Sequence, residues 1–357
     1  MNQIITASRL NSLISCPRKH FWQYEIGLKK DAAALALRFG SAWARGMEGY
    51  WIGHDYDTAL ACAIPEGIDL DELSCATIAS LLAAYFDYHG AASGYGKIQP
   101  EVEFGPHVIE GTDFLAHGKL DGLGVLKDGR LVLIEAKTTS DSINDDSDYW
   151  LRLRFNLQIF QYVLEVRNHL GVDIQTVYYD VTRKPSIAQK MIDDRDEQGL
   201  KIVIDNQGVR QYKPGKIKTA PGEPYQSASV EKGWLVKQHL ETPDEFGQRL
   251  YDDVMGRPKF YFTRREVPVL EEELEQFRRQ RLALCRLIDH FRSQESWGAQ
   301  EPDLTLRDPD CWPRNVAENL CNFCQYKSFC LQNLSVNLNQ PPSGFSIQPF
   351  NPELETK

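Results

Sequence analysis

Apolar and polar positions alternate around one central stretch, residues 117–137, in a pattern that predicts a β-hairpin. Two runs rich in Val, Leu and Ile flank the turn residues Lys127-Asp128-Gly129, which is a typical hairpin signal. The first run carries Asp121. The second is apolar on both faces and then ends in Glu135-Ala136-Lys137. This places a carboxylate and an ammonium on one side of a buried strand.

The length of the turn decides whether the two acidic residues meet. A two-residue loop would place Asp121 opposite Ala136, with its carboxylate on the wrong side from Glu135. A three-residue loop, with Gly129 left-handed as a bulge, places Asp121 opposite Glu135. We predict the second arrangement, with a positive φ at Gly129.

Periodicity elsewhere predicts further helices and strands. The N-terminal helix is interrupted at Cys16-Pro17, because proline disfavours helix in the residue before it. The succession of strands, helix and strand favours a mixed sheet with helices packed against it, an α/β fold. Predicted helices cover residues 8–28, 39–50, 69–89, 149–170 and 268–291, and predicted strands cover residues 101–104 with 108–109, 176–181 and 259–265.

Residues 183–233 have weak periodicity and many turn residues, which indicates an insertion or long loop. Within it, four cations stand without an intervening acid: Arg210, Lys213, Lys216 and Lys218. They are either a phosphate-contacting patch or an ordinary solvated surface, and the sequence favours neither. The tail 335–357 contains several prolines and is expected to be poorly ordered.

Composition is that of a globular protein. The 357 residues are 42% hydrophobic, and no apolar run approaches the length needed to span a bilayer. The start of the chain does not resemble a signal peptide, so we expect a cytoplasmic protein without a membrane partner. A net charge of -10 argues against a protein that coats nucleic acid through its overall potential. An enzyme with a local basic groove remains compatible with that charge.

The charged residues of the hairpin suit one kind of chemistry. An aspartate and a glutamate that converge make an all-oxygen site for a hard cation such as Mg²⁺. A lysine beside them can orient a water or offset charge on a phosphate, which outlines metal-assisted phosphodiester hydrolysis. A Glu-x-Lys triplet alone says little, since about one is expected by chance in such a composition.

The predicted helix after the hairpin carries Gln158 and Tyr162 four residues apart, so both lie on one face. An amide and a phenol directed at the hairpin could hold a phosphate or the attacking water. Amphipathic helices also carry such residues without any function.

Three of the eight cysteines, Cys321-x2-Cys324-x5-Cys330, have a spacing typical of metal ligands. A four-thiolate site needs one more ligand. Cys16, at a helix break before proline, is better presented than Cys311, and the other three cysteines fall in apolar helical patterns. Spacing does not separate structural Zn²⁺ from an iron–sulfur cluster.

Several motifs together resemble the RecB-like branch of the PD-(D/E)XK nuclease superfamily, in particular its AddB-type members with a four-cysteine iron–sulfur cluster. The resemblance extends from the first cysteine to the last. It is carried by Cys16-Pro17, Gly118-Lys119-Leu120-Asp121, Glu135-Ala136-Lys137, Gln158-x3-Tyr162 and the closing Cys321, Cys324 and Cys330.

The resemblance implies a restriction-endonuclease-like core at residues 99–267, interrupted by the insertion 183–233. Its Mg²⁺ or Mn²⁺ would be held by Asp121 and Glu135, with Lys137 as the catalytic lysine and Gln158 and Tyr162 in the helix motif. Cys16 would join the three late cysteines around a [4Fe-4S] cluster. The remaining segments would be a first helical segment (1–38), a helical region (39–98), a C-terminal helix with cysteines (268–334) and the tail.

The chain departs from this family in two places. The proline of the superfamily's name is Leu120 here, as is common in this branch. The family's histidine ligand, in a Gly-x3-His helix motif, is replaced by Ala44. We expect Glu48, one turn further along, to complete the metal shell, with Glu101 and Glu103 as weaker alternatives.

The sequence therefore predicts a metal-dependent DNA nuclease, an exonuclease rather than a site-specific endonuclease, because nothing resembles a sequence-reading module. It lacks the phosphate loop of a helicase motor, so unwinding would need a helicase or recombination partner. By analogy, the setting would be recombination, repair or phage genome processing. The alternatives are an inactive nucleic-acid-binding scaffold, motivated by Ala44, and a structure-specific or zinc-stapled endonuclease.

Overall fold

A computed structural model describes most of the chain. The described residues are 3–31, 35–53, 55–64, 70–90, 95–215, 222–295, 306–307, 309–332, 334 and 336–348. Lys216 and Lys218, two members of the predicted basic patch, lie outside them. None of the described helices is long and apolar enough to cross a membrane.

Six strands form one mixed sheet. In spatial order β1, β3, β4, β5 and β6 are hydrogen-bonded neighbours, and β2 pairs with β3. Most pairs are antiparallel, but β1 with β3 and β4 with β5 are parallel. The strands are β1 (Ile4–Ile5), β2 (Tyr95–Val108), β3 (Leu115–Leu126), β4 (Leu131–Thr139), β5 (Thr176–Arg183) and β6 (Phe262–Pro268).

Eight principal helices accompany the sheet. They are α1 (Ala7–Ser15), α2 (Leu35–Gly53), α3 (Tyr56–Ala63), α4 (Glu72–His89), α5 (Asp148–Arg154), α6 (Leu157–Glu165), α7 (Pro243–Gly256) and α8 (Glu271–Glu295). Shorter helical turns are Pro17–His20, Phe21–Glu25, Val166–Leu170, Val230–Lys232, Pro258–Tyr261, Glu318–Cys321 and Lys327–Gln332, and shorter strands are Leu28–Lys30, Met191–Asp193, Val203–Ile204, Leu235–Val236, Gln238–Leu240, Leu306–Arg307, Val336–Asn337 and Phe345–Ile347.

Two apolar layers cover the two faces of the sheet, because successive residues of a strand point to opposite faces. Leu133 of β4 belongs to the layer that includes α1, α6 and α8. Its neighbours Val132 and Ile134 belong to the layer that includes α2, α4 and α7. All three side chains are fully buried. This is the predicted α/β architecture, a central mixed sheet flanked by helices, and it is consistent with a restriction-endonuclease-like fold.

The central hairpin has the predicted three-residue loop. Leu126 N–H donates to Arg130 O and Gly129 N–H donates to Leu126 O, each at 2.9 Å. Gly129 has a φ of 87°, in the left-handed region where a residue without Cβ is favoured. Register and turn conformation are both confirmed.

Two different strands pair with the same edge of β3. Since β2 pairs with β3 from Val108 to Tyr95, it occupies one edge of β3, and β1 and β4 must share the other. On that edge, β1 pairs with residues 115–116 and β4 pairs with residues 122–125. We call the uncovered stretch between them, residues 117–121, the fork.

Some predicted elements differ. The single helix expected over 149–170 is two helices and a turn, because Asn156 caps α6 and its side chain accepts from Gln158 N–H at 3.0 Å. Residues 258–261 form a helical turn before the strand. The tail is ordered in part: Phe345–Ile347 pairs with Leu28–Lys30. Sequence reasoning did not identify α7.

Candidate metal centre

Asp121 lies at the fork, one step beyond the last regular pair of β3 and β4, Gly122 with Ile134. That step brings it opposite Glu135, as predicted from the turn. Its carboxylate accepts the backbone N–H of Ala136 at 3.0 Å. The side chain thereby bridges the two strands where their backbone pairing ends.

Glu135 has a fully buried side chain at the end of an apolar run. Lys137 supplies a counter-ion, with Nζ 2.5 Å from Oε1. Among the described residues, the other oxygen, Oε2, has no hydrogen-bond partner. A buried carboxylate oxygen without a hydrogen bond is costly unless another ligand uses it, and a hard divalent cation fits this donor.

Lys137 lies close to both acidic residues. Burial alone would lower the pKa of its ammonium, but the charges of Glu135 and then Asp121 outweigh that effect and raise the pKa above its usual value. The two acids therefore act on one cationic group.

Gln158 and Tyr162, the predicted helix motif, form a chain of hydrogen bonds that begins at the same lysine. Lys137 Nζ donates to Gln158 Oε1 at 2.8 Å, and Gln158 Nε2 donates to the hydroxyl of Tyr162 at 2.9 Å. The Tyr162 ring stands edge-on to Phe104 of β2, with centroids 5.7 Å apart. The structure thus brings together Asp121, Glu135, Lys137, Gln158 and Tyr162.

Two further residues of this region were missed by sequence reasoning. Gln161 is fully buried, and its amide donates to Ile5 O at 3.0 Å, so it fills the fork beside β1. Tyr149 of α5 is near the ion pair. Burial, and to a lesser extent the charges of Asp141 and Glu135, raises its pKa to about 12, although the charge of Lys137 acts in the opposite direction. No local pattern marks either residue, because the fork arises only when distant strands pair.

The three candidates for a replacement ligand have other partners. Glu48 is ion-paired with Arg45 on the same helix at 2.8 Å. Glu101 pairs with Lys119, and Glu103 lies 3.0 Å from His117 Nε2. Among the described residues, no group of three His, Cys, Asp or Glu ligand atoms within 4.8 Å of one another includes Asp121 or Glu135. The role of Glu48 stays a prediction.

The four predicted cluster cysteines line one cavity of about 330 Å³ between the N-terminal and C-terminal segments. Burial, with the neighbouring Cys16 and Cys330 thiols among the lesser causes, raises the pKa of Cys324. The described residues contain no three thiol sulfurs within 4.8 Å of one another. The structure therefore does not gather the thiols into a coordination shell. Cys311 lies apart and faces Phe291 O at 3.5 Å.

A family model described as the PD-(D/E)XK nuclease superfamily matches residues 4–331. Among solved structures, one titled "Crystal structure of SSO0001" is similar at 13% identity, with a TM-score of 0.25, over 53% of this chain and 66% of that chain. The chain thus spans just under two thirds of that protein's length. No curated protein matches the chain.

Proposed function

This chain belongs to the PD-(D/E)XK nuclease superfamily, and from that premise we propose that it hydrolyses phosphodiester bonds of DNA with a divalent cation. One observation carries the proposal: the carboxylate of Glu135 is buried beside Lys137 with its Oε2 lacking a hydrogen-bond partner among the described residues, and Asp121 accepts from the N–H of the next residue, Ala136. A charge so placed is explained by a ligand that the protein binds.

Mg²⁺ or Mn²⁺ is the cation we propose. The backbone N–H of Ala136 orients the carboxylate of Asp121, and the carboxylate of Glu135 is buried. Both donors are carboxylate oxygens, which suits hard cations that keep several waters. Such a cation, when bound, would polarise the phosphodiester and lower the pKa of a water. We keep Glu48 as the proposed third protein ligand.

Lys137, Gln158 and Tyr162 have positioning and charge roles in this proposal. The ammonium of Lys137 is held from one side by Glu135 and from the other by Gln158 Oε1. Its remaining hydrogen-bonding capacity can face the scissile phosphate and offset the charge that builds there. Tyr162 binds the Gln158 amide and so fixes its orientation.

A basic and aromatic rim next to the centre supports nucleic acid as the substrate. The rim consists of Arg183, Lys184, Arg257 and Phe260. The backbone N–H of Lys184 donates to Thr139 O at 2.7 Å. Thr139 lies two residues after Lys137 on β4, so the rim borders the proposed metal centre. The guanidinium carbon of Arg183 lies 4.2 Å from the ring centroid of Phe260. Arg257 lies 4.3 Å from the same centroid but is paired with Asp253 at 2.7 Å, so Arg183 and Lys184 are the proposed phosphate-binding cations. Alternating cations and rings can bind phosphates and stacked bases of a single strand.

The insertion contributes less to this surface than its sequence suggested. Arg210 is paired with Asp196 at 2.5 Å, and Lys213 lies 3.5 Å from Glu223. Folding thus brings acids beside two of the four predicted phosphate-binding cations. We place the DNA on the rim and not on the insertion.

We also propose that the chain is of the RecB-like, AddB-type branch and holds a [4Fe-4S] cluster on Cys16, Cys321, Cys324 and Cys330. The shared cavity supports this. Four thiolates around one zinc ion would stand about 3.8 Å apart, from a Zn–S bond of about 2.3 Å. In a cluster each thiolate binds a different iron, so its four sulfurs would stand farther apart than those around Zn²⁺.

Within this proposal the enzyme is a cytoplasmic exonuclease of recombination, repair or phage genome processing that works with a helicase or recombination protein. The test uses linear and closed circular DNA with Mg²⁺ or Mn²⁺. We expect degradation of the linear form alone. Cleavage of both forms would favour a structure-specific endonuclease.

The same assay includes site variants. Glu135→Ala should abolish cleavage, and Lys137→Ala should slow it by about 10²–10³-fold, the usual effect of losing one transition-state contact. Surface controls Glu275→Ala and Lys201→Ala should cleave like the parent. An anaerobically prepared parent that degrades neither DNA would favour the alternative suggested by Ala44, a nucleic-acid-binding scaffold.

A further inference from the structure

A second group of metal-ligating side chains lies at the opposite end of α6 from Gln158. His107 comes from β2, Glu165 is the last residue of α6, and His169 lies in the turn that follows. Two histidines and a glutamate, from β2, α6 and the turn after α6, meet there. The proposed nuclease centre uses none of them.

The distances fit a single small ion. Glu165 Oε2 is 3.5 Å from His107 Nδ1 and 3.1 Å from His169 Nε2, and all three ligand atoms lie within 4.8 Å of one another. Tetrahedral ligands bound to Zn²⁺ at about 2.0–2.1 Å stand about 3.4 Å apart. Within the described part of the chain, this is the one group of three such atoms so close together.

The carboxylate of Glu165 has a fixed orientation. Glu165 is 2% exposed, and its other oxygen, Oε1, accepts from Arg281 Nη1 at 2.6 Å. Arg281 therefore fixes the carboxylate and leaves Oε2 directed at both imidazoles. A partner that orients a ligand in this way is typical of protein metal sites.

The two imidazoles lie against each other. Their rings stack with centroids 3.2 Å apart at an angle of 16°, so one ring has to rotate for both nitrogens to bind the same ion, because each lone pair lies in the plane of its ring. His107 Nδ1 is buried and makes no hydrogen bond of regular geometry to any described residue. About 29% and 33% of the two side chains remain exposed, which leaves an approach for an ion and room for a water as the fourth ligand.

We propose that His107, Glu165 and His169 bind one Zn²⁺ ion. Two imidazoles and one carboxylate suit zinc and not Mg²⁺ or Ca²⁺, which prefer oxygen ligands. The ion would link β2 to α6, the helix that carries Gln158 and Tyr162, and so brace the nuclease centre from a separate site. The competing account is that the histidines only pair with Glu165 as a charge cluster.

The test measures zinc per chain after equilibrium dialysis of the full-length protein against micromolar Zn²⁺. His107→Gln and His169→Gln keep a hydrogen-bond donor for Glu165 but remove a strong ligand. Each should bind one zinc fewer than the parent, and zinc should raise the Tm of the parent but not of these variants. The control His290→Gln changes an exposed histidine of α8 and should match the parent. Equal zinc content in all four proteins would overturn the proposal.

X-ray absorption at the zinc edge of the parent tests the site without any substitution. We expect nitrogen and oxygen neighbours at about 2.0–2.1 Å with the signature of imidazole. A shell of sulfur at about 2.3 Å would place zinc on the cysteines and contradict the proposed site. A parent that binds no zinc would contradict it as well.

Discussion

Glu135 and Glu25 are both carboxylates with almost no exposed surface, but their surroundings differ. Glu25 is paired with two arginines, Arg9 at 2.6 Å and Arg292 at 2.8 Å. Glu135 has one lysine 2.5 Å from Oε1 and a second carboxylate nearby, and its Oε2 has no hydrogen-bond partner among the described residues. The first arrangement stabilises the fold, and the second leaves negative charge available to a cation.

We therefore expect effects of different size from the same substitution on stability. Glu25→Gln leaves two buried guanidinium groups without their carboxylate and should lower the free energy of unfolding by about 3–5 kcal/mol. Glu135→Gln removes the ion pair with Lys137 but also the like-charge repulsion with Asp121, and Lys137 keeps Gln158, so it should change the free energy of unfolding by no more than about 1 kcal/mol in buffer without divalent ions. Urea unfolding of both variants measures this. A large destabilisation by Glu135→Gln would show that its charge serves the fold.

The break between α5 and α6 shows how a short local contact positions the site. Asn156 leaves the helical conformation, and its side chain binds the N–H of Gln158, the residue that holds Lys137. Asn and Asp favour such caps because their side chains compete with the helix backbone. The start of α6 is therefore set by the residue two positions before the site amide.

Replacing this cap should affect both stability and cleavage. Asn156→Ala should cost about 1 kcal/mol of stability and also lower the cleavage rate, since Gln158 loses its fixed backbone. Asp71→Ala is the matched control, because Asp71 caps α4 through Ser74 N–H at 2.7 Å in the same way. The control should show a similar stability loss with an unchanged rate at a temperature where both are folded. Equal rates in the two variants would contradict the role of the cap.

His89, the last residue of α4, should make the stability of the protein depend on pH. Burial, and next the charge of Arg264, lowers the pKa of His89 from 6.5 to about 4. The unfolded chain then binds a proton that the folded chain does not, so stability is lost as pH falls from about 6.5 to about 4. Thermal unfolding of His89→Gln should show a smaller loss over this window than the parent, and His290→Gln should behave like the parent. An identical slope for His89→Gln would contradict this assignment.

Elements with strong local signals could be predicted from the sequence. The hairpin turn and its register follow from Lys127-Asp128-Gly129 and from the strand alternation around it. The split of 149–170 was missed because apolar periodicity continues through Asn156, and the capping side chain outweighed it. The tail was predicted to be poorly ordered because of its prolines. Phe345–Ile347 nevertheless pairs with Leu28–Lys30, more than 300 residues away in sequence, which no local pattern can indicate.

The described N-terminal and C-terminal segments contact each other just after the first helix. Arg18 Nε donates to Trp312 O at 2.8 Å, and Tyr326 hydroxyl donates to Leu28 O at 2.6 Å. Gln348 N–H donates to Gly27 O at 2.7 Å. The cysteine cavity lies between these segments. The pairing of distant strands at the fork and the contact of these two segments both depend on the complete fold, so sequence spacing alone did not predict them.

Metal analysis of the whole chain tests the proposed cluster. Protein prepared without oxygen should contain about four iron atoms per chain. Cys16→Ser should lose this iron and have a lower Tm, because the link between the first and last segments is removed. Cys75→Ser, which lies on α4 away from the cavity, should keep the iron content of the parent. A colourless parent with zinc in place of iron would contradict the cluster.

The convergence of Asp121 and Glu135 on one divalent cation is tested most directly by crystals of the protein soaked in Mn²⁺. We predict an anomalous difference peak bound by a carboxylate oxygen of Asp121 and one of Glu135, with Lys137 Nζ close by. Mn²⁺ bound only elsewhere, or bound by one of these carboxylates while the other points away, would contradict the proposed centre.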